Sequence, residues 1–92
     1  MIILIFMKIN NLIEKVRKKI CNKIKCEKIL IEDKTFLHRK HKNFDPEKFH
    51  LKITLNSIKL KSKKKVDANK CVFKILDQEL RDHIHSIQLF IN

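Results

Sequence analysis

The sequence contains no glycine, no tryptophan and no tyrosine among its 92 residues, and it has a single proline. Without glycine, the chain cannot form the glycine-rich phosphate-binding loops of P-loop and Rossmann proteins. It cannot form the GXXG loop with which KH domains clamp RNA either. The six phenylalanines are its only large aromatic residues, and most of them fit core positions. These absences exclude several common nucleotide-binding motifs and disfavour specific recognition of single strands by base stacking.

Cysteine is also scarce, with Cys21, Cys26 and Cys71 as the only three. An odd number of cysteines without a convincing secretory signal predicts reduced thiols in an intracellular protein, either cytosolic or mitochondrial. The apolar run at residues 1–7 is too short to span a bilayer and lacks the basic start of a signal peptide. We therefore predict that residues 1–9 are an apolar N-terminal extension and that residues 10–92 form one domain.

Acidic residues are few, with 10 Asp and Glu against 22 Lys and Arg, which gives a net charge of +12. This charge predicts attraction to an acidic partner, to nucleic acid or to an anionic membrane. A solvated, lysine-rich surface would give the same composition, so the charge alone does not choose between these interpretations. If nucleic acid is the partner, the candidate contacts are the lysines of one basic run: Lys59, Lys61, Lys63, Lys64 and Lys65.

Hydrophobic periodicity predicts two helices and three strands. The first helix runs from Asn10 or Asn11, as its N-cap, to about Ile24. The second carries apolar residues at three- and four-residue spacing from Ala68 to Leu80, with Asp67 ahead of it as a cap. Short apolar or alternating runs predict strands at residues 29–31, 49–55 and 84–91, and residues 58–65 read as a connection or a single helical turn. The order α-β-β-α-β indicates an α/β (α+β) fold with a small, mixed three-stranded sheet, its last strand parallel to a neighbour, covered by the helices.

Histidine is the residue type best suited to a metal site in this chain. His38 and His85 are the leading pair, since neutral imidazole is a good ligand for iron, zinc or copper. Two donors complete only half of a tetrahedral site. A zinc finger built from Cys21-x4-Cys26 and His38-x2-His41 is the alternative, but its spacing is loose. From spacing alone, these histidines also fit an ordinary exposed loop and a strand edge, and His50 is interpreted as structural.

Four segments resemble the BolA-like proteins, in the same order along residues 12–91. The segment FKILDQEL, followed by Ile84-His85-Ser86-Ile87, is similar to the family's helix and "IHAL" signature. The segment DKTFLHRKH at residues 33–41 resembles "DESxxHAGH", and HLKITLNS at residues 50–57 resembles "HFKVxIVS". The family's "RHR" motif is missing, because Ala68-Asn69-Lys70 stands in its place.

The resemblance implies a class II KH-like fold and a non-enzymatic function. BolA-like proteins form heterodimers with monothiol glutaredoxins and share a [2Fe-2S] cluster, for which the glutaredoxin supplies thiolates from its own cysteine and from glutathione. The resemblance assigns His85 and His38, or His41 in place of His38, as the ligands from this chain, which alone would be a monomer without a cluster. An exposed surface at Asn69, Lys70, Phe73 and Lys74 is expected to contact the partner. The alternative is a nucleic-acid-binding regulator that uses the basic run.

The residues themselves give no support for catalysis. No Ser-His-Asp order, activated cysteine or pair of carboxylates can be assigned to an active site from the sequence. We therefore expect a binding protein and not an enzyme.

Overall fold

The computed structural model describes the backbone of residues 2–35 and 48–92, and the side chains of residues 8–35 and 48–92. The elements are α1 (Ile2–Lys23), β1 (Lys28–Asp33), β2 (Phe49–Asn56), α2 (Ile58–Lys61), α3 (Lys65–Ile75), α4 (Asp77–Asp82) and β3 (Ile84–Ile91). The predicted α+β class is confirmed. Of the two interpretations of residues 58–65, a connection or a single helical turn, the helical turn is present at Ile58–Lys61, and Lys65 already belongs to α3. In the described part of the chain, no helix is long and apolar enough to cross a membrane.

The three strands form one mixed sheet in the order β1-β2-β3. β2 is central, antiparallel to β1 and parallel to β3. A parallel neighbour requires a long crossover, and the segment α2–α4 provides it. Alternate residues of β2 face the helices, and Leu51, Ile53 and Leu55 are almost completely buried there. The predicted strand pairing, including the parallel orientation of the last strand, is therefore confirmed.

Helix α1 begins at Ile2 and not at Asn10 or Asn11, so the predicted start of this helix is wrong. The buried line of the helix extends back to Ile9 and Leu12, which continue the three- and four-residue spacing of Val16 and Ile20. Asn10 is on the exposed face, where its side chain is free to point to solvent and does not end the helix. Ile9, at 4% exposure, packs in the core. The division of the chain after residue 9 stays a prediction, but it falls inside this helix.

The helix predicted up to Leu80 is two helices joined at Leu76, whose backbone departs from helical geometry at φ −97° and ψ 15°. The cap prediction is also wrong: α3 begins at Lys65 after Lys64, and Asp67 lies within its first turn. A carboxylate in the first turn still interacts favourably with the helix dipole, as a capping carboxylate does. An acidic residue near a helix start is therefore compatible with either position. The predicted apolar stripe is largely confirmed by the buried Ala68 and Val72, with Cys71 half-buried beside them.

Glu79 of α4 is fully buried, at 0% exposure, and pairs with two lysines of α1. Lys19 Nζ lies 2.6 Å and Lys15 Nζ 3.7 Å from Oε2, and Lys19 also donates to Oε1 at 2.9 Å. Burial alone would raise the pKa of this carboxyl, but the hydrogen bond from Lys19, the backbone amide of Glu79 and the two lysine charges leave the pKa below its usual value. This cluster fixes α4, and with it the start of β3, against α1.

We predict that Glu79→Gln lowers the free energy of unfolding by about 1–3 kcal/mol near neutral pH, because an amide cannot replace a charge-assisted contact with Lys19. The folded-state pKa is depressed, so this stabilisation is complete above the usual glutamate pKa and is lost as pH falls through the lower, folded value. Urea unfolding of the wild type and of Glu79→Gln at several acidic pH values measures the difference in their free energies of unfolding.

The matched control is Asp77→Asn on the same helix, where the carboxylate is exposed and paired with Arg81 at 2.8 Å. That change should alter stability by less than about 0.5 kcal/mol. Equal effects of the two substitutions, or a Glu79→Gln deficit that grows at low pH, would contradict a buried ion-pair role for Glu79.

Candidate functional site

The site is built around a β-bulge where β3 begins. Phe49 pairs with Ile84, but the next residue, His50, pairs with Ser86, so His85 is an extra residue in β3. A bulge of this kind changes the direction of a side chain and is common beside binding sites. Ile84 is buried in the core, whereas His85 and Ser86 are exposed. Both residues contact His50, on the sheet face opposite the helices.

His50 is held in place by contacts on several sides. Its Nδ1 is 2.7 Å from the hydroxyl of Ser86, and its ring stacks on that of His85 with centroids 4.8 Å apart. Its backbone N–H donates to Thr35 Oγ1 at 3.1 Å, and its carbonyl accepts from the N–H of Lys34 at 2.8 Å. The side chain of His50 contacts the exposed residues His85 and Ser86, so it points away from the core as the strand alternation predicted. At 7% exposure, however, His50 is a buried residue of the site and not a side chain on an open strand.

His85 is exposed but oriented, because its backbone belongs to β3 and one face of its ring lies on His50. Imidazole nitrogens are known ligands of iron in [2Fe-2S] clusters, where two histidines replace two thiolates on one iron. Within residues 2–35 and 48–92, no three His, Cys, Asp or Glu side chains are grouped so as to hold a metal ion. His85 is thus an exposed imidazole without two further potential metal ligands grouped around it in the described part of the chain.

The predicted loop ligands, His38 and His41, lie outside the described residues. The last described residues before them are next to the site, since Lys34 and Thr35 both hydrogen-bond the backbone of His50. Thr35 is in turn fixed by Asp33, which accepts from its amide at 3.0 Å and from its hydroxyl. The loop after β1 thus leaves the sheet beside His50.

Charges close to the site belong to neighbouring strands on the same face. Glu32 of β1 is paired in the sheet with Lys52 and forms an ion pair with Lys34 at 3.0 Å. The hydrogen bond from Lys34 lowers the pKa of the Glu32 carboxyl against the opposing effect of desolvation, and the charges of Lys34 and Lys52 add to the lowering. Lys52 also lies 5.2 Å above the ring of Phe90, which is 43% exposed.

The predicted partner surface on α3 is not adjacent to His85. Asn69 is half-buried and lines a cleft with residues 89–91, near the opposite end of β3. At about 3.3 Å per strand residue, this end is roughly 17 Å from His85. Lys70 and Lys74 are exposed, and Phe73, expected on the exposed face, is half-buried. These residues stay a predicted contact surface, separated from His85 by most of a strand.

The basic run forms one side of the same cleft. All five candidate lysines are exposed: Lys59, Lys61, Lys63, Lys64 and Lys65. Three of them, Lys61, Lys63 and Lys65, line the cleft of about 350 Å³ together with Phe90 and Asn92. The structure therefore gathers part of the basic run around a concave surface, which the sequence alone did not indicate.

Sequence reasoning missed two features of this region. The bulge that brings Ser86 and His50 together leaves no mark in a pattern of alternating residues. The burial of Glu79 did leave a signal, because Glu79 is seven residues after Val72 and so falls on the apolar stripe of a helix. A carboxylate on that stripe requires a cationic partner, and Lys15 and Lys19 are four residues apart on α1.

Comparison with known proteins gives one family and a set of similar folds. The family model described as "BolA-like protein" matches residues 20–92. The BolA domain of SufE1 from Arabidopsis thaliana superposes with a TM-score of 0.74 at 20% sequence identity, over 86% of this chain and 87% of that domain. BolA1 from Arabidopsis thaliana superposes with a TM-score of 0.72 at 20% identity and the same coverage. The search of curated proteins found no match.

We predict that Ser86→Ala lowers the free energy of unfolding by about 1 kcal/mol, because the nearly buried Nδ1 of His50 loses the Ser86 hydroxyl. Urea unfolding measures this change. The control is Ser62→Ala, whose exposed hydroxyl donates to the Lys59 carbonyl at 2.7 Å, and which should cost less than about 0.5 kcal/mol. If both substitutions have the same small effect, the Ser86–His50 contact does not hold the site together.

Proposed function

The chain belongs to the BolA-like protein family, and from this we propose that it is a non-enzymatic partner of a monothiol glutaredoxin, with which it shares a [2Fe-2S] cluster. The observation that carries the proposal is the placement of His85. Its imidazole is exposed at a bulge, stacked on His50, and fixed in a sheet whose other side is the hydrophobic core. This is the position and type of residue that the family resemblance assigned as a ligand.

Orientation of His85 is the main contribution of this chain. The stack on His50 and the hydrogen bond between His50 and Ser86 restrict the ring before any partner arrives. A pre-positioned ligand loses less conformational entropy on binding than a mobile side chain does. When bound, the cluster supplies one-electron redox chemistry, and ligation by imidazole in place of thiolate raises its potential. His38, or His41, is the second proposed ligand, from the loop that leaves the sheet beside His50.

β3 is an edge strand of the sheet, so a partner that contacts this edge is expected to reach both His85 on one side and the proposed contact surface on α3 on the other. A standard interface buries about 800 Å² on each protein, which corresponds to a patch roughly 30 Å across. The distance along β3 from His85 to the end that Asn69 borders is shorter, at roughly 17 Å. Lys70 and Lys74 would then lie at the rim of the interface, where charges mainly change the association rate. The proposed cellular role is cluster trafficking or iron regulation.

The test is to mix the protein with a [2Fe-2S]-loaded monothiol glutaredoxin and to record visible circular dichroism. We expect a changed cluster spectrum with the wild type and the unmixed glutaredoxin spectrum with His85→Ala, because the imidazole ligand is gone. His83→Ala is the matched control, since His83 is exposed two residues away and its carbonyl, which accepts from Phe49 at 2.9 Å, is retained.

A sizing column separates ligation from docking in the same samples. A complex that forms with His85→Ala but lacks the changed spectrum supports His85 as a ligand. If the spectrum changes equally with wild type and His85→Ala, His85 is not a ligand. If the wild type neither changes the spectrum nor co-elutes, the glutaredoxin proposal fails.

A second proposal is binding of nucleic acid at the cleft formed by the basic run and the end of β3. It is supported by the three lysines that line this cleft beside an exposed phenylalanine. Lysine–phosphate contacts release counterions, so the affinity should fall steeply as salt rises. Ligation of a cluster should depend on salt much less.

We predict that replacing the three cleft lysines by glutamine makes the plot of log affinity against log salt shallower by about two units for a single strand. Fluorescence anisotropy of a labelled oligonucleotide measures this slope. The control has the same net charge but changes three exposed lysines elsewhere: Lys18, Lys23 and Lys25. Equal slopes for the two triple variants would mean that any binding reflects overall charge and not the cleft.

A further inference from the structure

β1 is an edge strand of the sheet and is regular along its whole length. Because the strand order is β1-β2-β3, no strand in the described part of the chain pairs with β1 on the side away from β2. All of its residues, Lys28–Asp33, pair with β2 without a shift of register, whereas the pairing of β3 contains a bulge. β1 also contains no proline. Bulges and prolines commonly prevent an edge strand from pairing with a further strand, and β1 has neither.

The backbone of β1 presents hydrogen-bonding groups at this open edge. Lys34 N–H donates to the His50 carbonyl at 2.8 Å, which shows that even-numbered residues of this segment direct their backbone groups to β2. The direction of these groups alternates along a strand. The N–H and carbonyl groups of Ile29, Ile31 and Asp33 therefore face the open edge, where an antiparallel strand is able to pair with them.

The side chains of β1 are complementary to a second copy of the same strand. Lys28, Leu30 and Glu32 lie on the sheet face opposite the helices, where Lys28 is exposed and Leu30 is 48% exposed. If two copies of β1 run antiparallel with Leu30 at the two-fold axis, each Lys28 lies opposite Glu32 of the second copy. The two Leu30 side chains then lie opposite each other. Glu32 has an ion pair with Lys34 at 3.0 Å but is only half-buried, so it is able to accept a second cation.

The backbone favours the same register. With the two Leu30 residues opposite each other, Ile29 of each copy forms a hydrogen-bonded pair with Ile31 of the other, and both have backbone groups that face the edge. The Lys28–Glu32 and Leu30–Leu30 pairs are then the non-hydrogen-bonded ones, in which side chains approach most closely. A shift of two residues in either direction would separate Lys28 from Glu32 and lose both ion pairs.

Two carboxylates oppose this pairing, because Asp33 of each copy would lie opposite Glu27 of the other. Both carboxylates already have partners within their own chain. Asp33 accepts from the amide and the hydroxyl of Thr35, and Glu27 accepts from the N–H of Ile58 at 3.2 Å. These contacts direct the two acidic groups toward their own chain and so weaken their mutual repulsion.

We propose that the protein associates with a second copy of itself through β1, in an antiparallel pairing centred on Leu30 that joins two sheets into one sheet of six strands. The contact is isologous, so it closes after two copies. It leaves β3 and His85 at the outer edges of the combined sheet and is therefore independent of cluster binding. This dimer replaces the monomer that the family resemblance implies. It is expected to be weak, because one strand pair is a small interface and each chain carries a charge of +12.

Sedimentation velocity of the full-length protein tests the dimer, at about 0.15 M salt to screen the net charge and with a reductant to exclude disulfides. The wild type should shift from monomer toward dimer as its concentration rises to about 1 mM. Leu30→Lys should abolish this shift, because two lysines would meet at the two-fold axis. The matched control is Val66→Lys, which adds the same charge at a residue of α3 that is 62% exposed, and it should dimerise as the wild type does.

Exchange of charges tests the register. Lys28→Glu and Glu32→Lys should each raise the dissociation constant of the homodimer by roughly tenfold or more, because like charges then face each other twice. An equimolar mixture of these two variants should form a heterodimer, since every new charge then faces an opposite one. Circular dichroism verifies that each variant is folded. If Glu32→Lys, which also loses the ion pair with Lys34, does not fold, Leu30→Lys still decides whether β1 is the interface.

A wild-type protein that sediments as a monomer at every concentration would overturn the proposal. A dimer that Leu30→Lys and Val66→Lys weaken equally would show that another surface is responsible. A dimer that each charge variant weakens, but that mixing the two does not restore, would refute the register centred on Leu30.

Discussion

The parallel pairing of β2 with β3, with one bulge beside His50, is the constraint on which the rest of this structure depends. The pairing requires a crossover, and α2–α4 fill it on one side of the sheet. The bulge keeps Ile84 in the core and yet turns His85 and Ser86 toward His50 on the other side. Because His85 is the extra residue at the bulge, its imidazole is exposed on one side of the sheet while the preceding residue, Ile84, stays buried on the other.

The contact between α1 and α4 maintains that arrangement from the helical side. Glu79, buried against Lys19 and Lys15, fixes the short helix that ends immediately before β3. Removing the carboxylate would therefore disturb the start of β3 as well as the helix pair. The two sides of the sheet have different roles as a result: one buries the core residues, and the other presents His85, the ion pair of Glu32 with Lys34, and Phe90 under Lys52.

Elements that depend on hydrophobic periodicity could be predicted from the sequence. The alternation from Phe49 to Asn56 predicted β2, and a helix followed directly by a strand predicted the parallel pairing with β3. Element ends were less predictable, because capping signals compete: Asn10 looks like a cap but lies on the exposed face of α1, and Asp67 acts inside the first turn of α3. The assignment of His85 as a ligand stays a prediction, and it depends on the family resemblance more than on the spacing of the histidines. The stack on His50 and the hydrogen bond to Ser86 depend on a bulge, which arises from tertiary packing and has no local sequence signature.

The most direct measurement asks whether a histidine of this chain binds iron in the [2Fe-2S] cluster that we propose it shares with a glutaredoxin. The protein is labelled with ¹⁵N-histidine, combined with unlabelled [2Fe-2S] glutaredoxin and reduced, and electron–nuclear double resonance is recorded. We expect a ¹⁵N coupling to the cluster from this chain, with the contribution of His85 missing in His85→Ala. A complex that forms and holds the cluster, but shows no ¹⁵N coupling from the labelled chain, would contradict the account.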